Sequence, residues 1–132
     1  MRFLIFLMKM SEIYLLVGGE ATRLQPLSSG IPKALLTIRG ERIIDKIIKQ
    51  FPSSDNFNLI CSIKHEDYWR DYKNKYNNDV NLHFETSKLD TAGYIVENLH
   101  SMPDSFYCMN GDLLLNIDLL NFIKAASNCS NS

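Results

Sequence analysis

The sequence predicts an α/β fold with a mainly parallel central sheet. Three observations predict it. Short apolar runs rich in β-branched and aromatic residues recur along the chain. Stretches with apolar residues at helical spacing separate them. Polar, glycine-containing clusters follow three of the runs. The chain has 132 residues, and domains most often hold about 100–150, so a single domain over 1–132 is expected.

Each element follows from its pattern. Ile13–Val17 (IYLLV) is apolar throughout and is stopped by Gly18-Gly19, which predicts a buried strand. In Arg42–Phe51, Ile43, Ile44, Ile47, Ile48 and Phe51 share one helical face, and Pro52 ends the helix. Asn56–Ile63 (NFNLICSI) reads as a second strand and Glu66–Tyr76 as a charged, aromatic surface helix. Val80–Glu85 alternates as a third strand. Thr91–Leu99 reads as a helix with Ile95, Val96 and Leu99 inward. Ser105–Met109 is the fourth strand, closed by Asn110-Gly111-Asp112, and Ile117–Ala125 is a last helix. No repeat or linker divides the chain. Right-handed crossovers bring the loops after parallel strands to one edge, where open α/β sheets bind ligands.

Composition excludes several classes. Hydrophobic residues make up 45% of the chain and the net charge is −1, which supports neither disorder nor general nucleic-acid binding. The charge is uneven. Residues 1–49 carry eight Lys/Arg against four Asp/Glu, whereas residues 50–132 carry six against eleven. The basic excess lies with the glycine loop and suits an anionic ligand there. Cys61, Cys108 and Cys129 are scattered, odd in number and without zinc spacing, which points to a reducing, cytoplasmic setting. His65, His83 and His100 read as surface or core residues. Phe3–Met8 is too short and too abruptly ended by Lys9 for a signal peptide or a membrane span. With Met8 and Met10 following, residues 1–10 read as an extension from an early start.

Chemistry concentrates at the three strand ends. Gly18 and Gly19 let backbone approach a ligand and are expected at φ > 0, where successive N–H groups form an anion nest. Arg23 adds a planar fork for phosphate and Lys33 a compact charge, with Pro26 and Pro32 stiffening the loop between. The loop lacks both the G-K-[ST] of a P-loop and the G-x-G-x-x-G of a dinucleotide fold. Asp112, beside Gly111 at a strand end, can hold Mg²⁺ that also binds phosphate oxygens. Taken alone, the glycine pair also fits an ordinary turn, and so does the N-G-D triplet.

Taken together, these residues resemble the sugar-nucleotide pyrophosphorylases, nucleotidyltransferases that act on sugar 1-phosphates. Their opening motif, G-G-x-G-T-R-L-x-P-L-T, then P-K-x-L-L and G-x-x-I-I-D, is matched by Gly18, Gly19, Thr22, Arg23, Leu24, Pro26, Leu27, Pro32, Lys33, Leu35, Leu36, Gly40, Ile43, Ile44 and Asp45. Leu89–Gly93 (LDTAG) is similar to L-G-T-A-G, Glu85 stands where several members keep an acidic residue, and Asn110–Asp112 is similar to the metal motif. The members that the chain most resembles are those like mannose-1-phosphate guanylyltransferases. Ala21 replaces the motif's third glycine, and Asp90 replaces the glycine of L-G-T-A-G.

The resemblance implies a Rossmann-like three-layer sandwich of the nucleotide-diphospho-sugar transferase type, incomplete at its C-terminal side. It implies a reaction in which NTP and sugar 1-phosphate give NDP-sugar and pyrophosphate. In it Arg23 and Lys33 are the catalytic cations. Gly18, Gly19, Thr22, Glu85, Thr91, Ala92 and Gly93 bind nucleotide, with Glu85 favouring GTP, and Asp112 holds Mg²⁺. Family catalytic domains run further, and that further part supplies a second metal aspartate and the glutamate and lysine for the sugar. The alternatives are a truncated nucleotide-binding module or partner subunit without its own catalysis, and a structural or interaction protein with lost chemistry, to which Ala21 and Asp90 point. The open sheet edge left by the shorter chain invites self-association. Neither a nucleic acid nor a membrane is expected as a partner.

Overall fold

The computed structural model describes residues 12–19, 30–51, 56–86 and 93–111. Within them a four-stranded parallel sheet is formed by β1 (Glu12–Leu16), β4 (Asn56–Ser62), β5 (Asn81–Glu85) and β6 (Tyr107–Asn110). Their order in space is β5-β4-β1-β6, with every pair parallel. The first strand is thus central, and the chain winds outward from it in both directions. That arrangement creates a switch point beside β1, where ligands of open α/β sheets are received.

The two faces of the sheet follow from the register. Ile13, Leu15 and Val17 point to one face with Phe57, Leu59 and Cys61 of β4. They pack on Ile43, Ile44 and Ile47 of α1 (Ile43–Ile48) and on Trp69 and Tyr72 of α2 (Glu66–Lys75). Ile44 and Leu15 are fully buried, and each such side chain contributes about 1.5–3 kcal/mol by leaving water. The opposite face presents Tyr14 and Ile60, which are covered by Ile95 of α3 (Gly93–Glu97). Helices on both faces of a parallel sheet make the three layers that the sequence pattern implies.

Three local readings need correction. The helix expected to begin at Arg42 begins at Ile43. Before it, β2 (Thr37–Ile38) and β3 (Glu41–Arg42) form a small antiparallel hairpin. Its turn holds Arg39 at φ 53° and Gly40 at φ 81°, the paired left-handed conformation that suits the twist of a two-residue hairpin. Val96 and Leu99, expected inward, are 70% and 57% exposed. The helix is only five residues long, so its single inward position is taken by Ile95. Nor is α2 purely a surface helix, because Trp69 and Tyr72 are buried on its inner side. The helix expected at 117–125 lies outside the described residues.

A polar clamp joins α1 to α2. The Tyr72 hydroxyl donates to Asp45 at 2.5 Å, and Arg42 reaches Asp45 at 3.4 Å. The Arg42 guanidinium lies 3.8 Å from the centre of the Tyr76 ring. Burial, with the adjacent Asp45 carboxylate second, pushes the Tyr72 hydroxyl well above its ordinary pKa. Asp45, one of the motif residues, therefore fastens two helices together.

Gly111 tests how tightly the edge is packed. A Cβ there would lie 2.4 Å from Val17 Cγ1 and 3.2 Å from Leu15 Cβ, both in the packed core. Gly111→Ala is expected to lower stability by about 1–3 kcal/mol, the usual cost of overpacking. Urea denaturation of the variant beside the unaltered chain measures it.

Candidate nucleotide site

The carboxyl ends of the strands are held level by backbone bonds beyond the regular pairing. The Val17 amide donates to the Ile60 carbonyl at 3.0 Å, and the Gly111 amide donates to the Leu16 carbonyl at 3.0 Å. Three residues meet at this edge on the Tyr14 face. Ser62 ends β4, Glu85 ends β5 opposite it, and Gly18 follows β1. A Cβ on Gly18 would lie 2.9 Å from Glu85 Oε1 and 3.7 Å from the Ser62 amide nitrogen. The Glu85 carboxylate therefore rests against the bare backbone of Gly18. Burial raises the Glu85 carboxyl above its ordinary pKa.

Gly18 does not have the left-handed backbone expected of it. Among the described residues only Arg39, Gly30 and Gly40 have positive φ. What requires glycine at 18 is the closeness of Glu85 rather than a turn conformation.

Lys33 is brought to the same edge. Its backbone amide donates to the Gly19 carbonyl at 3.2 Å, which joins the second motif to the glycine pair. Lys33 opens a 3₁₀ turn over Lys33–Leu35, preceded by buried Pro32 at φ −57°. The turn is closed by the Leu36 amide on the Lys33 carbonyl at 3.1 Å, and Ala34 anchors it in the core. A half-buried lysine beside glycine backbone can offer positive charge and N–H donors together, a combination suited to phosphate.

Of the residues singled out from sequence, Gly18, Gly19, Lys33 and Glu85 are thus gathered at one edge. Gly93 begins α3, which packs on the same face of the sheet. Thr22, Arg23, Thr91, Ala92 and Asp112 lie outside the described residues, as do Ala21 and Asp90. Among the described residues no group of three or more His, Cys, Asp or Glu could by itself hold a metal.

Sequence reading missed Ser62 and a line of polar side chains beneath the site. Ser62 could have been noticed as a hydroxyl at the end of an apolar run. The polar line could not, because its members are far apart in sequence. Asn56 and Asn58 donate to the two carboxylate oxygens of Glu12 at 3.0 and 2.8 Å. Asn58 Oδ1 faces His83 Nε2 at 3.0 Å, and the Tyr94 hydroxyl lies 3.5 Å from His83 Nδ1. Since the Asn58 amide nitrogen is committed to a carboxylate, its oxygen accepts, and Nε2 is the protonated ring nitrogen. Burial holds His83 below the ordinary histidine value, with Glu12 pulling the other way.

Comparison with known proteins gives a consistent result. The family model described as nucleotidyl transferase matches residues 13–132. A bifunctional protein GlmU from Methanococcus aeolicus is 31% identical over 115 residues, covering 86% of this chain and 27% of that protein. A mannose-1-phosphate guanyltransferase from Gibberella zeae is 29% identical over 125 residues, covering 86% of this chain and 34% of that protein. The crystal structure of HddC from Yersinia pseudotuberculosis complexed with GMP-PN superposes with a TM-score of 0.68 at 26% identity, covering 89% of this chain and 54% of that one. The chain therefore spans about a third of these curated relatives. Among the described residues no helix is long and apolar enough to cross a membrane.

Two outcomes are expected. Gly18→Ala meets only the movable end of Glu85 within 3 Å, so stability should change by less than about 1 kcal/mol. The carboxylate should swing away, and calorimetry should show weaker binding of nucleoside triphosphate. For His83, the folded-state pKa lies below the ordinary value of 6.5, so the unfolded chain binds more protons. The neutral ring's contribution is complete above about pH 6.5 and declines as pH falls through that value towards the lower folded pKa. Urea unfolding between about pH 5 and 7.5 should therefore show stability rising with pH, more steeply than in His83→Gln.

Proposed function

The chain belongs to the nucleotidyl transferase family, and on that premise we propose that it serves the transfer of NMP from an NTP to a sugar 1-phosphate, giving NDP-sugar and pyrophosphate. The observation that carries the reading is the hydrogen bond from Lys33 to Gly19. It joins the backbone of Lys33 to that of Gly19, so the two motifs meet at the edge where Glu85 stands, and this supports a shared role toward phosphate.

In this reading the sugar phosphate oxygen attacks the α-phosphorus in line as the bond to pyrophosphate breaks. Such chemistry needs position and charge stabilisation more than a covalent nucleophile. The amides of Gly18 and Gly19, with Thr22, hold the triphosphate. Arg23 stabilises the charge that grows on the leaving pyrophosphate, and Lys33 holds phosphate oxygens near the reacting centre. Glu85, with Thr91, Ala92 and Gly93, receives the base.

GTP is favoured on two grounds. A carboxylate can accept two donors from a guanine edge. A guanyltransferase relative and a neighbour complexed with GMP-PN point the same way. The Glu85 carboxylate rests against the Gly18 backbone, and Ser62 stands opposite Glu85 in the sheet, which supports a base received at these strand ends.

Magnesium fits the donor set in kind. It takes oxygen ligands, usually one or two carboxylates with substrate phosphates and water. Asp112, next in sequence to Gly111 at the site edge, would be the carboxylate. When bound, the ion supplies charge neutralisation on the phosphates. Free Cys61 and Cys108 accord with a reducing cytoplasm. Because the chain spans about a third of the curated relatives, a second reading is that this portion binds nucleotide while transfer needs residues supplied elsewhere. The β6 edge, which has no further strand among the described residues, is where a second copy would add.

Titration calorimetry with Mg-GTP tests the phosphate assignments. Arg23→Ala and Lys33→Ala should each weaken binding about tenfold or more, as expected for a hydrogen bond to a charged group. Unchanged affinity in both contradicts the reading. Glu85→Gln keeps the size of the side chain but replaces one acceptor with a donor, so it should narrow the preference for GTP over UTP.

A further inference from the structure

We propose that His83 is a positioning residue for the nucleotide pocket, tying the first turn of α3 to the strand that carries Glu85. The proposal deepens the function proposed above and rests on it. His83 and Glu85 lie on the same face of β5, two residues apart. Tyr94 lies in the first turn of α3, directly after Gly93. The bond between His83 Nδ1 and the Tyr94 hydroxyl, at 3.5 Å, spans the gap between strand and helix.

His83 is itself held from the other side. Glu12 accepts from Asn56 and Asn58, Asn58 accepts from His83 Nε2, and His83 Nδ1 accepts from Tyr94. Every link donates in one direction, towards the carboxylate. Reversing any of them would set donor against donor or acceptor against acceptor, so the ring has one favourable orientation. The Tyr14 ring centroid, 5.9 Å from that of His83, and the Tyr94 ring centroid, 6.0 Å away, pack about it. Tyr94 in turn fixes its helix, since its carbonyl accepts from both the side chain and the backbone amide of Asn98 at 2.9 and 3.1 Å.

Among the described residues, the remaining hold on α3 is apolar, through Ile95, Tyr94, Met102 and Phe106 against Tyr14 and Ile60. Apolar burial is non-directional and permits sliding. Among the described residues, the hydrogen bond to His83 is the directional contact that sets where the helix sits along β5, and thus the width between α3 and Glu85. His83 need not touch nucleotide. Its effect is to fix the base-receiving side of the site while leaving the glycine backbone and Lys33 untouched.

The test compares Mg-GTP with magnesium tripolyphosphate, which has no base, in calorimetric titrations of the chain. His83→Phe and Tyr94→Phe should each weaken GTP about fivefold to tenfold, the size of one hydrogen bond, and leave tripolyphosphate within about twofold. The double variant should be no weaker than either single one, because both remove the same link. His83→Gln, which keeps a donor and an acceptor, should retain more GTP affinity than His83→Phe. If His83→Phe does not fold, Tyr94→Phe, which loses a single oxygen, decides. Single variants that bind GTP like the unaltered chain overturn the positioning role alone. Equal loss for GTP and tripolyphosphate also overturns it, since that is general destabilisation. An unaltered chain that binds GTP no better than tripolyphosphate overturns the base pocket itself, and this proposal with it.

Discussion

The rest of the structure depends on β1 being paired on both sides up to its last residue. The Leu16 carbonyl takes the Gly111 amide and the Val17 amide reaches the Ile60 carbonyl, each at 3.0 Å. These bonds bring three strand ends to one level. They also place Gly18 within reach of Glu85, which β4 separates from it in the sheet. Parallel pairing demands long crossovers, so the residues that meet at this edge come from distant parts of the chain. The buried aliphatic core of Ile13, Leu15, Ile44 and Leu59 supplies the stability. The level strand ends convert that stability into a site.

The site divides into two sides with different physics. On the side proposed for phosphate, Gly19 and Lys33 are tied backbone to backbone. On the side proposed for the base, Glu85 rests against the Gly18 backbone and α3 is tied to β5 through the His83 line. In the proposed reading, a backbone-held phosphate grip with a side-chain-lined base wall suits a family whose members differ in the nucleotide they use. It also accounts for a polar line kept inside an otherwise apolar layer, since an orientation can be specified by hydrogen bonds but not by burial alone.

Much of the fold was legible because its signals are local. Apolar runs ending in glycine located β1, and helical spacing of isoleucines located α1. The hairpin at 37–42 was hidden because TIRGER is polar and each strand has two residues. Arg39-Gly40 was its single local cue. Val96 and Leu99 were misjudged because periodicity cannot tell how long a helix will be. Gly18, Lys33 and Glu85 were singled out through their motifs and the structure brings them to one edge, whereas the closeness of Gly18 to Glu85 was not foreseen. Left-handed backbone is a property of one residue, but closeness to Glu85 depends on strand order. The line from Glu12 to Tyr94 joins residues up to 46 apart in sequence within a single bond, and no pattern along the chain could reveal it.

The most direct measurement is chemical-shift mapping of the amides as Mg-GTP is added to the labelled chain. Large shifts should appear at Gly18, Gly19, Ser62 and Glu85, at the carboxyl edge of the sheet, with little change at Glu12 and Asn56 at the amino edge. Shifts concentrated at the amino edge, or spread evenly over the surface, would contradict a nucleotide site at the strand ends.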